Sequence, residues 1–480
     1  MAPICHLPLE ITGYIVERLS SKDLLCLRQT CRTLHNATLH TFSQKHFRTR
    51  RVMLERRSLE ALANIAEHLI LGPCIEELEI CTNHLLPLDE LRIIKPPSRP
   101  IREVISKRDH WESGQDEETD GEMEEEDEGE NTSGEEADSD DDDHCPHLRR
   151  LNETAYCKAF NDQEELIERG GDIEYLTRAM KGLVNCQYIR ITDDNRVWGL
   201  RRLWKEIGIL PQRCLTFKAP KSVELVRRML YAFFTAVAES NASIECLEVG
   251  SGCLVNNANR MSPDMLAKPS SALLDSFRLN TLTTLYLRLD RKSPEHNATS
   301  IHWTYDLIQF VNRFPELSEL GLEFEYRDED RDSYDDTPVQ LSPDFQYGDH
   351  VTYTRFPKLS RLLYIPKLEI VRLGMFDCTS MDLAFFLLRH QRTLRDIHLE
   401  GINFVDAKGE LGGWPWLVEV IRDSFQITSF VIERCWDENL GDILNREAKH
   451  LYQDPENRVL EAIDSEGLDK IIKLLQRRIR

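Results

Sequence analysis

The stretch IEELEI, residues 75–80, sets Ile75, Leu78 and Ile80 at the spacing apolar-x-x-apolar-x-apolar. In an extended chain successive side chains point to opposite faces, so Leu78 and Ile80 share one face while Glu77 and Glu79 share the other. That alternation predicts a short strand with one buried side. The same spacing returns, with conservative replacements, at Cys186, Ile189 and Ile191, at Ile244, Leu247 and Val249, at Leu282, Leu285 and Leu287, and at Leu317, Leu320 and Leu322. It returns again at Leu368, Val371 and Leu373, at Leu394, Ile397 and Leu399, and at Ile427, Phe430 and Ile432. Eight copies in one chain are an internal repeat.

Most copies follow a segment of helical period, such as LTRAMKGLV, VRRMLYAFFTAVAES, WTYDLIQFVNRF, MDLAFFLLRHQ and WPWLVEVIRDSF. A helix followed by a strand cannot bury its own faces and must stack on its neighbours. The expected fold class is therefore α/β. An ordinary sheet of parallel strands fits the same alternation, but no strand is followed by the Gly-rich loop of a nucleotide-binding sheet. The repeat resembles leucine-rich repeats in degenerate form. The asparagine that such repeats carry after the strand is matched only by Asn83, and the spacing is irregular. The resemblance implies a solenoid over 147–436, preceded by a linker helix and first repeat over 51–110. A helical cap is expected over 437–480, where Ile471, Leu475 and Ile479 recur every four residues and Lys470, Lys473, Arg477, Arg478 and Arg480 share the last turns.

At the other end, residues 7–37 read LPLEITGYIVERLSSKDLLCLRQTCRTLHNA. Pro8 suits a first helical turn, and Ile11, Ile15 and Leu19 then fall every four residues. Ser20 and Ser21 can cap a second helix, with Asp23 in its first turn and Leu24, Leu27 and Cys31 on one side. A third helix begins near Thr30 and carries Leu34, Ala37 and Phe42. So small a unit hides only about 60% or less of its unfolded surface, so part of this apolar set is expected to need a partner.

The order Leu7-Pro8-x-Glu10-Ile11, Ile15, Leu19, Asp23-Leu24, Leu27, Thr30-Cys31-Arg32 and Leu34 resembles the F-box, the module by which substrate receptors dock on the Skp adaptor of cullin-RING ubiquitin ligases. Two departures stand out. Gly13 weakens the first helix by about 1 kcal/mol relative to Ala, and Leu34 stands where many F-boxes carry an aromatic. The resemblance implies a three-helix F-box within 1–50, with Leu7, Pro8, Ile11, Ile15, Leu24, Leu27, Cys31 and Leu34 meeting the Skp adaptor and, through it, the cullin-RING ligase.

Charge divides the chain sharply. It carries 83 Asp and Glu against 60 Lys and Arg, and Glu112 to Asp143 alone supplies 19 of the net 23 negative charges. A disordered acidic insertion over 111–146 is expected, because such a run repels itself and has almost nothing to bury. A shorter mixed-charge loop is expected around 326–350. Thr119, Ser133 and Ser139 each precede an acidic residue by three positions, which resembles the sites of acidophilic kinases.

Motifs for chemistry are missing from the sequence. There is no GxxxxGK[ST], GxGxxG, GxSxG or HExxH. Thirteen cysteines are scattered without a CxxC pair, and the short His144-Cys145-Pro146-His147 has no second pair at zinc spacing, so no metal and no cofactor is expected. No apolar run reaches the eighteen or so residues of a membrane span, and no basic-then-apolar leader is visible. A location in the cytoplasm, the nucleus or both is expected.

In each repeat the residue between the last two apolar positions points away from the core. Glu79, Arg190, Glu248, Tyr286, Arg372 and His398 are thus expected to line one exposed face, together with Arg288 and Glu400. Their mixed signs argue against nucleic acid, which wants a basic stripe. The F-box resemblance implies a substrate-recognition subunit of a Skp-cullin-F-box ubiquitin ligase, with this face holding a protein substrate and catalysis left to other subunits. A contrasting reading is an acidic scaffold or chaperone that binds basic proteins through the acidic run and has no ligase role.

Overall fold

The last two residues of all eight apolar triplets lie in strands of the computed structural model. It describes residues 7–93, 148, 150–193, 197–213, 215–250, 259–267, 278–290, 303–325, 351–405, 413–437, 441–442, 459–463 and 465–479. The strands are β1 (Thr49–Met53), β2 (Glu77–Cys81), β3 (Tyr188–Thr192), β4 (Cys246–Gly250), β5 (Thr284–Asp290), β6 (Glu319–Glu325), β7 (Ile370–Gly374), β8 (Asp377–Cys378), β9 (Asp396–Glu400), β10 (Asn403–Phe404) and β11 (Ser429–Glu433). Leu78 pairs with Ile189, then Leu247, Leu285, Leu320, Val371, Ile397 and Phe430 follow in one row. A parallel row runs from Ile80 to Ile432. The large sheet has the order β1-β2-β3-β4-β5-β6-β7-β9-β11, which is chain order without the reversal of a doubly wound sheet.

Among the described residues, nine helices lie in the same sequence along the buried side of this sheet: α5 (Arg56–Ala66), α8 (Gly171–Gly182), α10 (Pro220–Ser240), α11 (Pro263–Ala267), α12 (Trp303–Val311), α13 (Val351–Leu362), α14 (Ser380–Arg389), α15 (Gly413–Ser424) and α16 (Ser465–Ile479). Each packs against the next. Ring contacts join several of them, Phe234 to Phe310 at 5.7 Å and Phe356 to Phe386 at 6.3 Å between centroids. Helices over one face of mostly parallel strands fit a solenoid.

Two expectations need correction, and a third cannot be compared with the described residues. Strand β1 is formed by TRRVM, which overlaps the start of the span expected to open with the linker helix; Arg51 is neutralised by Glu79 at 2.7 Å and Arg50 lies 4.2 Å over the Phe47 ring, so cations are held where apolar residues would be expected. The segment 437–480 is not helical throughout. It contains β13 (Gly441–Asp442), paired with β12 (Trp436–Asp437) in a small second sheet, and β14 (Val459–Ala462), which pairs antiparallel with β11. Leu460 and Ala462 turn into the core and close an edge that β11 would leave open. Finally, the expected insertions at 111–146 and 326–350 lie outside the described residues.

Between β2 and β4 lie α6 (Leu88–Ile93), α7 (Glu153–Glu168) and α9 (Leu200–Ile207), which build a second core with Met53 and Cys81. Tyr156 and Gln163 of α7 each bond both backbone polar groups of one residue, Leu86 and Leu85 respectively, at 2.9–3.1 Å. His84 is sealed beneath them. Its Nδ1 lies 2.6 Å from the Thr82 carbonyl, which only accepts, so Nδ1 holds the proton and Nε2 has no partner among the described residues. Burial pulls its pKa down to about 4.

That depression gives a signed expectation. The unfolded imidazole takes a proton near 6.5 and the folded one only near 4, so stability is full above 6.5 and falls as pH drops toward 4. The loss amounts to about 3 kcal/mol. His390, also depressed by burial, adds in the same direction. Urea melts at stepped pH should show the decline, and His84→Asn should flatten it; an equal slope in that variant would assign the decline to other groups.

Candidate functional site

The N-terminal unit comprises α1 (Leu9–Glu17), α2 (Ser21–Thr30), α3 (Arg32–Ala37) and α4 (Leu39–Phe47). It has four helices, so the expected third helix is split. The break is at Thr38, whose buried hydroxyl donates to the Leu34 carbonyl at 2.7 Å and accepts from Arg28 at 3.2 Å. Arg28 also bonds the His35 carbonyl and stacks 4.0 Å over the Phe42 ring, so one buried cation ties α2, α3 and α4 together. Burial lowers its pKa. Cys31 caps α3, its Sγ accepting from the Leu34 amide at 3.5 Å.

The expected adaptor residues divide into two groups. Leu24 and Leu34 are buried with Val16 in the core of the unit, a correction to their expected role as contacts. Pro8, Ile11 and Ile15 are exposed, whereas Leu7, Leu27 and Cys31 are half-buried. Tyr14 and Leu25, which the sequence reading passed over, are exposed too. Ile11 at 45%, Tyr14 at 67% and Ile15 at 36% exposure stand at i, i+3 and i+4 on α1, an apolar stripe facing out while Thr12 and Val16 face in.

On the sheet, the register sets Arg51, Glu79, Arg190, Glu248, Tyr286, Gly321, Arg372 and His398 side by side. Arg288 and Glu400 stand in the next row beside Glu323 and Glu433. This face is a ladder of alternating charge. Arg190 lies 3.0 Å from Glu248 and 3.7 Å from Glu79; Arg372 reaches Glu319 at 3.2 Å, Arg288 reaches Glu323 at 3.3 Å, and His398 reaches Glu433 at 3.7 Å. Tyr188 donates to Glu248 at 2.5 Å and Tyr286 donates to Glu319. Burial, reinforced by those carboxylates, pushes both tyrosine pKa values up.

Two residues expected at the exposed face are in fact buried, Glu79 at 2% and Glu400 at 5% exposure. Arg51 and Arg190 flank Glu79, and burial outweighs both in raising its pKa. Arg434 closes over Glu400 and also lies 3.3 Å from Glu433. His398, Glu400 and Glu433 could supply a cation's donors by type and proximity, yet Arg434 already neutralises both carboxylates. Glu319, Glu323 and Glu433 were missed because each stands two places from the position singled out in its hexamer, Glu319 within it and Glu323 and Glu433 just after it; an acidic residue two places either side of an arginine row was the available signal.

Gly321 leaves room for Tyr286, since a Cβ there would fall 2.3 Å from a ring carbon. Gly321→Ala is expected to displace that ring from Glu319 at a cost of about 1–3 kcal/mol. A thermal melt checks the cost, and an unshifted transition would show that the ring yields freely. A cleft of about 530 Å³ between α5, α7 and α9 has a rim of mutual ion pairs, Arg56 with Asp162 at 2.8 Å and Arg202 with Glu55 at 2.7 Å. Thr119, Ser133 and Ser139 lie outside the described residues.

Residues 4–48 match the F-box-like family, a span that takes in α1 to α4. This F-box-like domain supports reading the chain as an F-box protein, and such domains typically belong to adaptor subunits rather than catalytic ones. No curated protein matches the chain. Among the described residues no helix is long and apolar enough to cross a membrane.

Proposed function

We propose that this chain is the substrate-recognition subunit of a Skp-cullin-F-box ubiquitin ligase, with its leucine-rich-repeat-like sheet presenting a protein substrate. The observation that carries the reading is the exposed stripe of Ile11, Tyr14 and Ile15 within the F-box-like match. Exposed apolar side chains on a unit too small to bury them are the mark of an interface. The charge ladder suits a protein partner with polar groups of both signs, since its arginines and, apart from the buried Glu79 and Glu400, its glutamates keep unused hydrogen-bonding capacity toward solvent. Catalysis would fall to other subunits. The test is co-purification: the tagged chain should bring down the Skp adaptor and cullin in equal amounts, and recovery of neither under conditions that retain a known F-box protein overturns the proposal.

A further inference from the structure

We infer that the helical side of the repeats carries a second docking surface, on α13 and α14, for an acidic protein segment that bears apolar side chains. Lys358, Arg361, Arg389 and Arg392 gather there, and none is paired with a carboxylate among the described residues. Segments 351–367 and 389–395 contain no Asp or Glu, in a chain whose net charge is −23. Direct contacts join the patch into one surface. Lys358 sits 3.9 Å over the Tyr305 ring of α12, linking α12 to α13. Arg389 at the end of α14 donates to the Ser360 carbonyl at 3.3 Å and lies over Tyr364, which stacks on His390 with centroids 5.4 Å apart.

Beside these cations the surface is apolar. Leu362, Tyr364, Met381 and Phe385 are between 45% and 61% exposed, and Met381, Phe385 and Arg389 recur every four residues on α14. Cations in the last turns of two helices are accounted for by the helix dipoles. The dipoles do not account for four large apolar side chains left in water next to them. Charge complementarity selects an acidic occupant and the apolar residues select one with aliphatic or aromatic groups, which excludes a plain polyanion. A nucleic acid would meet these cations but leave Leu362, Met381 and Phe385 uncovered. The inference is independent of the adaptor reading, because no residue of α1 to α4 takes part.

The test measures fluorescence anisotropy of a labelled peptide of about four helical turns, with Glu and Leu at helical spacing, against the full chain. Saturable binding is expected. Arg361→Glu with Arg392→Glu should weaken it about ten-fold or more, and Phe385→Ser alone by a similar factor; Arg361 and Arg392 are exposed and Phe385 lies on the surface rather than in the core, so the fold is expected to hold. A peptide with Ser in place of Leu should bind at least about ten-fold more weakly. Absence of saturable binding, equal binding of the Ser peptide or of oligothymidylate, or unchanged binding in both variants overturns the inference. So does binding that emerges only when the Asp and Glu of 112–143 are changed to Asn and Gln, which would assign the surface to the chain's own acidic run.

Discussion

Replacing Ile11, Tyr14 and Ile15 together by alanine is expected to weaken binding to the Skp adaptor about a thousand-fold while leaving the unfolding transition of the repeats in place. These side chains stand in solvent, so their removal takes little from the folded chain. In a complex they would be central apolar anchors, and two anchors at about 2 kcal/mol each account for the factor. Leu24→Ala and Leu34→Ala should act by another route. Both are buried, so each is expected to cost about 2–5 kcal/mol of the stability of the helical unit, and binding would fail through unfolding. Titration with purified adaptor, paired with circular dichroism melts, separates the two. Full binding by the triple variant would sink the F-box reading and favour the acidic scaffold.

The strand rows were legible because a strand's period of two cannot be confused with anything else once eight copies share it. The same alternation placed Glu79, Arg190, Glu248, Tyr286, Arg372 and His398 in one row, as the register has them. It did not show that Glu79 and Glu400 are buried, because the arginines that cover them come from other strands or from beyond the strand, and sequence does not reveal such neighbours. On α1 the sequence showed an apolar stripe, but not whether that stripe faced the chain's own core or a partner's. Thr12 and Val16, a less obvious pair, are the ones that turn inward. Arg28 escaped notice for a related reason: a cation reads as a surface residue unless an aromatic face and two oxygen acceptors come to meet it.

The pairing of Arg228 with Asp172 joins α10 to α8, the helix that leads into β3 after the long interruption between β2 and β3. Asp172 is fully buried in the first turn of α8, and Arg228 of α10 grips it with both arms, Nε to Oδ2 at 2.7 Å and Nη2 to Oδ1 at 2.8 Å. A bidentate fork of this kind is among the stronger ion pairs, and it fixes the angle between two helices as well as their distance. Arg228→Met keeps the stem that packs along α10 but strands a carboxylate in the core, so it is expected to cost about 3–5 kcal/mol. Adding Asp172→Asn removes that stranded charge and should return most of the loss, because the penalty belongs to the unpaired ion rather than to the absent bond. Urea midpoints of the two single variants and the double close the cycle. The effect should reach the charge ladder. Strand β3 follows α8 directly, so a loosened α8 shifts Arg190 away from Glu248, and a substrate that reads this ladder should bind the Arg228→Met chain more weakly than the double variant. If Arg228→Met alone unfolds at the wild-type midpoint, the carboxylate has found another partner or water, and the register of β3 rests instead on the apolar contacts of α8 with α5 and α10.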